Sequence, residues 1–96
     1  MEIKKTLEGG KATFAFEGWL DTQTTPELGA ALDELGEDVT QLVFDLAELE
    51  YVSSAGIRQI VAAHKKMGGK LTVCNVSPAV LEVFRLTGVD KRLDIV

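Results

Sequence analysis

The residues of this chain best suited to chemistry are two adjacent hydroxyls, Ser53 and Ser54, followed by the small residues Ala55 and Gly56. They stand between a strand-like apolar run, residues 42–46, and an amphipathic helical pattern that begins near Ile57. Free N–H groups and the positive end of the dipole meet at a helix N-terminus and favour an anion there. A serine in that place suits a phosphate, either as ligand or as phosphoserine. It also suits plain capping, as Thr25 and Ser77 are expected to cap their own helices. The doubling of the serine, and the small, open surface left by Ala55-Gly56, point beyond a cap. Arg58 lies four residues past Ser54, within reach of a phosphate on it. Asp21, in the loop expected over residues 18–22, is a second polar candidate, read either as a turn-former or as a functional carboxylate. Trp19, in the same loop, reads as a partner-facing anchor or as a half-buried ring.

Little else in the chain has catalytic potential. His64 is the sole histidine and falls on the apolar stripe of its helix, where a partly buried structural role is expected, with no carboxylate or cysteine spaced to complete a triad. The single cysteine, Cys74, sits in the apolar run Leu71-Thr72-Val73-Cys74 and reads as a small buried hydrophobe. Gly9-Gly10 and Gly68-Gly69 do not lie between a strand and a following helix and lack the Walker lysine, so neither reads as a phosphate loop. No metal-ligand spacing occurs. The expectation is a binding protein without cofactor or metal, not an enzyme.

With 96 residues, the chain can bury one modest core, and residues 1–96 read as one domain. Hydrophobic residues at 46% and charged residues at 26% are ordinary globular usage. The net charge of −5 argues against direct nucleic-acid binding and against attraction to anionic membranes. No apolar run is long enough to insert in a membrane, and residues 1–11 carry no signal pattern. A cytoplasmic location is expected.

The elements that must position the serines follow from periodicity. Residues 3–7 read as a strand, Gly9-Gly10 as a turn, and Ala12, Phe14 and Phe16 as the buried face of a second strand. Thr25, Pro26 and Gly36 mark the cap, first position and end of a helix whose stripe is Leu28, Ala31, Leu32 and Leu35. Residues 42–46 form a central strand covered on at least one face. Ile57, Ile60, Val61 and His64 then form a second stripe, with Arg58, Gln59, Lys65 and Lys66 facing out, and Gly68-Gly69 ends that helix. Residues 71–76 read as a strand. Ser77-Pro78 opens a third helix carrying Val80, Leu81, Val83 and Phe84, and Gly88 closes it. Leu93 and Ile95 suggest a last short strand. The order ββαβαβαβ predicts an α/β fold with a mixed, mostly parallel sheet and packed helices.

Several fragments, in order, resemble the STAS domain family of SpoIIAA-like anti-sigma factor antagonists. The segment Leu46-Ala47-Glu48-Leu49-Glu50-Tyr51-Val52-Ser53-Ser54-Ala55-Gly56-Ile57 is similar to that family's strand, loop and Asp-Ser-Ser-Gly helix start, and Gly18-Trp19-Leu20-Asp21 to its Gly-x-Leu-Asp loop. Gly68-Gly69-Lys70-Leu71, the Ser77-Pro78 helix start, and residues 84–88 resemble its later strand, helix and Phe-x-x-(Ser/Thr)-Gly turn. The resemblance covers nearly the whole chain. It implies a STAS-like single domain that binds an anti-sigma factor which is also a serine kinase, and is switched off by phosphorylation at Ser54 and restored by a serine phosphatase. Asp21, Ser53, Ser54, Gly56 and Arg58 are the implied partner-binding set. Ser53 stands where the family has aspartate, which makes it a rival acceptor. The family usually continues past the position of Val96 into another helix, so a more exposed sheet face or partner surface is expected here. Two alternatives are a STAS adaptor subunit of a membrane transport or lipid-trafficking complex without phospho-switching, and a nucleotide or small-molecule sensor using a pocket beside Ser54 and Asp21.

Overall fold

The computed structural model describes residues 1–96. Strands β1 (Glu2–Glu8) and β2 (Lys11–Leu20) form an antiparallel hairpin turning at Gly9-Gly10. There follow α1 (Thr25–Asp33), β3 (Gln41–Val52), α2 (Ser54–Lys66), β4 (Leu71–Cys74), α3 (Pro78–Leu86), a 3-10 turn (Val89–Lys91) and β5 (Asp94–Ile95). The expected ββαβαβαβ order is found. The strands lie side by side in sequence order, β2 through β5 parallel. Each crossover therefore steps the same way across the sheet, and the shared right-handedness of such units sends α1, α2 and α3 to one face.

Burial follows from that arrangement. Ala12, Phe14 and Phe16 of β2, Leu42, Phe44 and Leu46 of β3, and Leu71 and Val73 of β4 are buried, while the alternate residues Thr13, Ala15, Val43, Asp45, Thr72 and Cys74 remain partly accessible. Phe44 sits at the centre, stacked 5.9 Å from Phe14 and edge-on 4.9 Å from Phe16. Leu28, Ala31 and Leu32, then Ile57, Ile60 and Ala63, then Val80 and Phe84, bring the helical stripes down on this layer. The sheet has a dry face and an open one. No helix is long and apolar enough to cross a membrane.

Several boundaries differ from expectation, each for a tertiary reason. β3 does not stop at Leu46 but runs on to Val52, and β2 continues through Gly18, Trp19 and Leu20, which the sequence suggested were loop. The pairing of β2 with β3 passes from Ala15↔Asp45 to Glu17↔Glu48, and from Gly18↔Leu49 to Trp19↔Tyr51, so β3 carries one extra residue at each slip. These are β-bulges, and they break the period-2 pattern by which a strand is recognised. β4 ends at Cys74, not at residue 76, because Asn75 turns the chain at a left-handed φ of 56° and its Nδ2 donates to Asp45 Oδ1 at 3.1 Å.

The helices are corrected as well. Thr25 does not cap α1 but is its first residue, its hydroxyl donating to the Thr22 carbonyl, and α1 ends at Asp33, before Gly36. α2 starts at Ser54, ahead of Ile57. Gln59 does not face out: its Nε2 donates to the Thr25 carbonyl at 2.7 Å and ties α2 to α1, leaving Oε1 buried without a partner. His64 is partly buried as expected, its Nε2 3.2 Å from the Asp94 carboxylate. Cys74 is half-buried on the open side, outside the core. Burial first, then the Asp45 carboxylate, push its thiol above the usual range, against a smaller opposing pull from Lys11.

Candidate functional site

Parallel strands bring their carboxyl ends to one edge of the sheet, where the strand-to-helix loops gather and where open α/β sheets place their sites. Here that edge carries Asp21 after β2, Ser53 after β3, and Ser77 before α3. Ser53 is the N-cap of α2: its backbone is extended (φ −90°, ψ 172°) and its Oγ accepts the Gly56 N–H at 3.2 Å. Its own N–H donates to the Leu20 carbonyl at 2.9 Å, joining the loop to the end of β2. Ser54 is the first helical residue, is exposed, and its hydroxyl makes no hydrogen bond within the chain. The two serines are therefore not equivalent: one hydroxyl is committed to the fold and the other is free.

Gly56 is held by close packing. A Cβ there would meet the Leu20 carbonyl oxygen at 2.7 Å, Leu20 Cγ at 2.9 Å and Val52 Cγ2 at 3.0 Å. Only glycine lets α2 seat this closely on β2 and β3, and Gly56 itself is buried. It shapes the site from beneath and offers no surface of its own.

Asp21 is a turn-former in its local geometry. Its Oδ1 accepts the N–H groups of Gln23 (2.9 Å) and Thr24 (3.1 Å), and its carbonyl accepts those of Thr24 and Thr25. In return Thr24 Oγ1 accepts the Asp21 N–H at 2.8 Å and donates to the Trp19 carbonyl at 2.9 Å. This reciprocal arrangement closes the turn that leads into α1, whose N-cap residue, Thr24, makes no side-chain capping bond of its own. Arg58 is exposed on the second turn of α2 and takes part in no ion pair. The first turn of α2 carries no acidic residue, while His64, Lys65 and Lys66 occupy the last, so the N-terminal end of this dipole is uncompensated.

Trp19, Asp21, Thr22, Gln23, Tyr51 and Ser53 line one open depression. Trp19 lies on strand, neither in a loop nor half-buried, and is 57% exposed. Its neighbour Tyr51 is the residue that sequence reasoning passed over: the second bulge sets it opposite Trp19, with ring centroids 6.0 Å apart and edge-on. No local pattern announces that pairing. Ser54 and Arg58 do not line this depression.

The chain matches the STAS domain family model over residues 2–96. It is 39% identical over 69 residues to BtrV of Bordetella bronchiseptica, a protein assigned as an anti-sigma factor antagonist, in a match covering 69% of this chain and 57% of that protein. The match thus spans little more than half the length of that relative. The anti-sigma-B factor antagonist of Bacillus subtilis is 31% identical over 81 residues, covering 81% of this chain and 74% of its own length. Among solved structures, an anti-sigma factor antagonist from Mycobacterium paratuberculosis superposes with a TM-score of 0.85 at 27% identity, covering 98% of this chain and 83% of that one. The sheet order, the helix start at Ser53-Ser54 and a family match along nearly every residue agree, and the chain belongs to the STAS domain family.

Proposed function

We propose that the protein is an anti-sigma factor antagonist of the cytoplasm: unmodified, it binds an anti-sigma factor that is also a serine kinase; phosphorylation of Ser54 ends the complex, and a serine phosphatase restores it. The observation that carries this reading is the free, exposed hydroxyl of Ser54 at the first position of α2, beside a Ser53 hydroxyl already bonded to the Gly56 N–H. A phosphoserine adds about −1.5 to −2 charge. At the N-terminus of α2 that charge sits against free N–H groups and the positive dipole end, with no acidic residue in the turn, so the fold tolerates it. At the interface the charge acts the other way. A kinase holds nucleotide phosphates opposite the acceptor hydroxyl, and a phosphate on Ser54 confronts that nucleotide with like charge and a desolvation cost. Phosphorylating Ser53 instead sacrifices the α2 cap. The names of the similar proteins, which are anti-sigma factor antagonists, support the same reading.

The test is retention of partners from the native host's lysate on wild type, Ser54→Ala and Ser54→Asp baits, with the retained kinase then purified and offered each protein with ATP. The expected result is a serine kinase held by wild type and Ser54→Ala, lost by Ser54→Asp, and adding one phosphoryl group to wild type but not to Ser54→Ala. A transport or lipid-trafficking subunit held equally by all three, with no kinase, overturns the reading in favour of a constitutive adaptor.

A further inference from the structure

Trp19 and Tyr51 project from the sheet face that no helix covers and remain 57% and 49% exposed. Paired aromatic rings left this far in water are the kind of anchor that protein interfaces use. Their surroundings are acidic. Glu17, two residues before Trp19 on the same face of β2, stands opposite Glu48 on one side and Glu2 on the other. Glu17, Glu48 and Glu50 line a second open depression beside that of the aromatic pair. Neither depression has a lysine or arginine in its lining. None of these glutamates takes part in an ion pair: the chain's three pairs are Met1–Glu27, Lys5–Glu34 and His64–Asp94. Like charges directly opposite one another across strands are destabilising. The row Glu2–Glu17–Glu48 sets three unpaired carboxylates abreast, with Lys4, opposite Ala15, on the same face of the sheet.

We propose that the Trp19–Tyr51 pair and the Glu17, Glu48 and Glu50 carboxylates form the docking surface for an arginine-bearing segment of the anti-sigma partner. The guanidinium lies against the exposed rings and pairs with the carboxylates beside them. Charge complementarity selects the occupant. Arginine fits better than lysine because its planar group stacks on aromatic rings while binding carboxylates in bidentate fashion. Nucleic acid and anionic lipid carry the wrong sign. Ser54 lines neither depression, while Ser53 and Asp21 line that of the aromatic pair, so this surface adjoins the switch without containing its hydroxyl. The partner's identity, though not the chemistry of the surface, rests on the function proposed above.

The chain has a single tryptophan, so intrinsic fluorescence reads this surface and nothing else. At low ionic strength, oligo-arginine amide is titrated into wild type and into the double variant Glu48→Gln/Glu50→Gln, with oligo-lysine and oligo-glutamate as companions. The expected result is a saturable change in Trp19 emission with oligo-arginine, weaker with oligo-lysine, absent with oligo-glutamate, and at least about tenfold weaker in the double variant. No saturable change, or equal affinity of the double variant, overturns the proposal. The same double variant and Tyr51→Ala, checked for an unchanged thermal midpoint, are then measured against the kinase that modifies Ser54. A loss of about tenfold in affinity is expected. If that kinase binds them as it binds wild type while still rejecting Ser54→Asp, the docking surface is wrong and the switch stands. If no kinase acts on Ser54 yet oligo-arginine still binds, the surface stands and the partner class is wrong.

Discussion

Ser53 and Ser54 are neighbours of one chemical type, yet they should answer differently to the same substitution. Ser53 Oγ accepts the Gly56 N–H at 3.2 Å from an extended N-cap backbone, so Ser53→Ala leaves that N–H without its partner. Loss of such a cap costs about 0.5–2 kcal/mol, typically near 1. For a domain of this size that lowers the thermal midpoint by about 4–8 °C per kcal/mol. Ser54 has an exposed side chain with no hydrogen bond, so Ser54→Ala should change stability by less than about 0.5 kcal/mol. Ser54→Asp places a carboxylate in a first turn that has none; it should stabilise by about 0.3–1 kcal/mol at low salt, a gain that added salt erodes. The assay is urea unfolding followed by circular dichroism, with Ser77→Ala as an internal reference, because Ser77 Oγ accepts the Val80 N–H at the same 3.2 Å. If Ser54→Ala costs as much as Ser53→Ala, the assignment of one committed and one free hydroxyl is refuted. The binding experiments depend on this result: a Ser54 variant that keeps its stability but loses its partner has lost an interaction and not a fold.

Three further outcomes follow from the packing and the electrostatics. Gly56→Ala forces a methyl group against the Leu20 carbonyl and Val52; strain of about 1–3 kcal/mol should exceed the helix-propensity gain of about 1, and an unchanged urea midpoint would contradict the close seating of α2. Phe44→Ala empties the centre of the Phe14–Phe44–Phe16 cluster and should cost about 3–5 kcal/mol, read as a fall in denaturant midpoint; a cost under about 1 would mean the core is packed elsewhere. Because the Cys74 thiol is raised by burial and by Asp45, it should be alkylated by iodoacetamide at pH 8 more slowly than in urea-unfolded protein, and Asp45→Asn should speed the native reaction. The folded value lies above the unfolded one, so the thiol's contribution to stability is present at neutral pH and declines as pH rises through the folded value; equal alkylation rates in the two states would contradict this.

Much of the fold is written locally. Alternation in residues 12–16, the nearly continuous apolar run 42–46, the Leu28–Ala31–Leu32 stripe and the Ser77-Pro78 start specify strand, strand, helix and helix, because each depends on a pattern or on a cap only a few residues away. Their alternation then leaves few topologies, and the shared handedness of parallel crossovers selects one. The doubled serine ahead of an amphipathic helix likewise marks the site within a single segment. What sequence could not decide depends on pairing between distant segments. The two bulges of β3 exist only against β2, some thirty residues earlier in the chain; they hide the strand's true length from periodicity and set Tyr51 opposite Trp19. The need for glycine at position 56 comes from Leu20 and Val52, which the helix meets only once folded. Which serine is free depends on where α2 begins, and α2 begins where the extended β3 delivers it, two residues past Val52. Chemical type was legible in the sequence; availability was decided by tertiary contact, because hydrogen bonds and burial are assigned by neighbours that lie far apart along the chain.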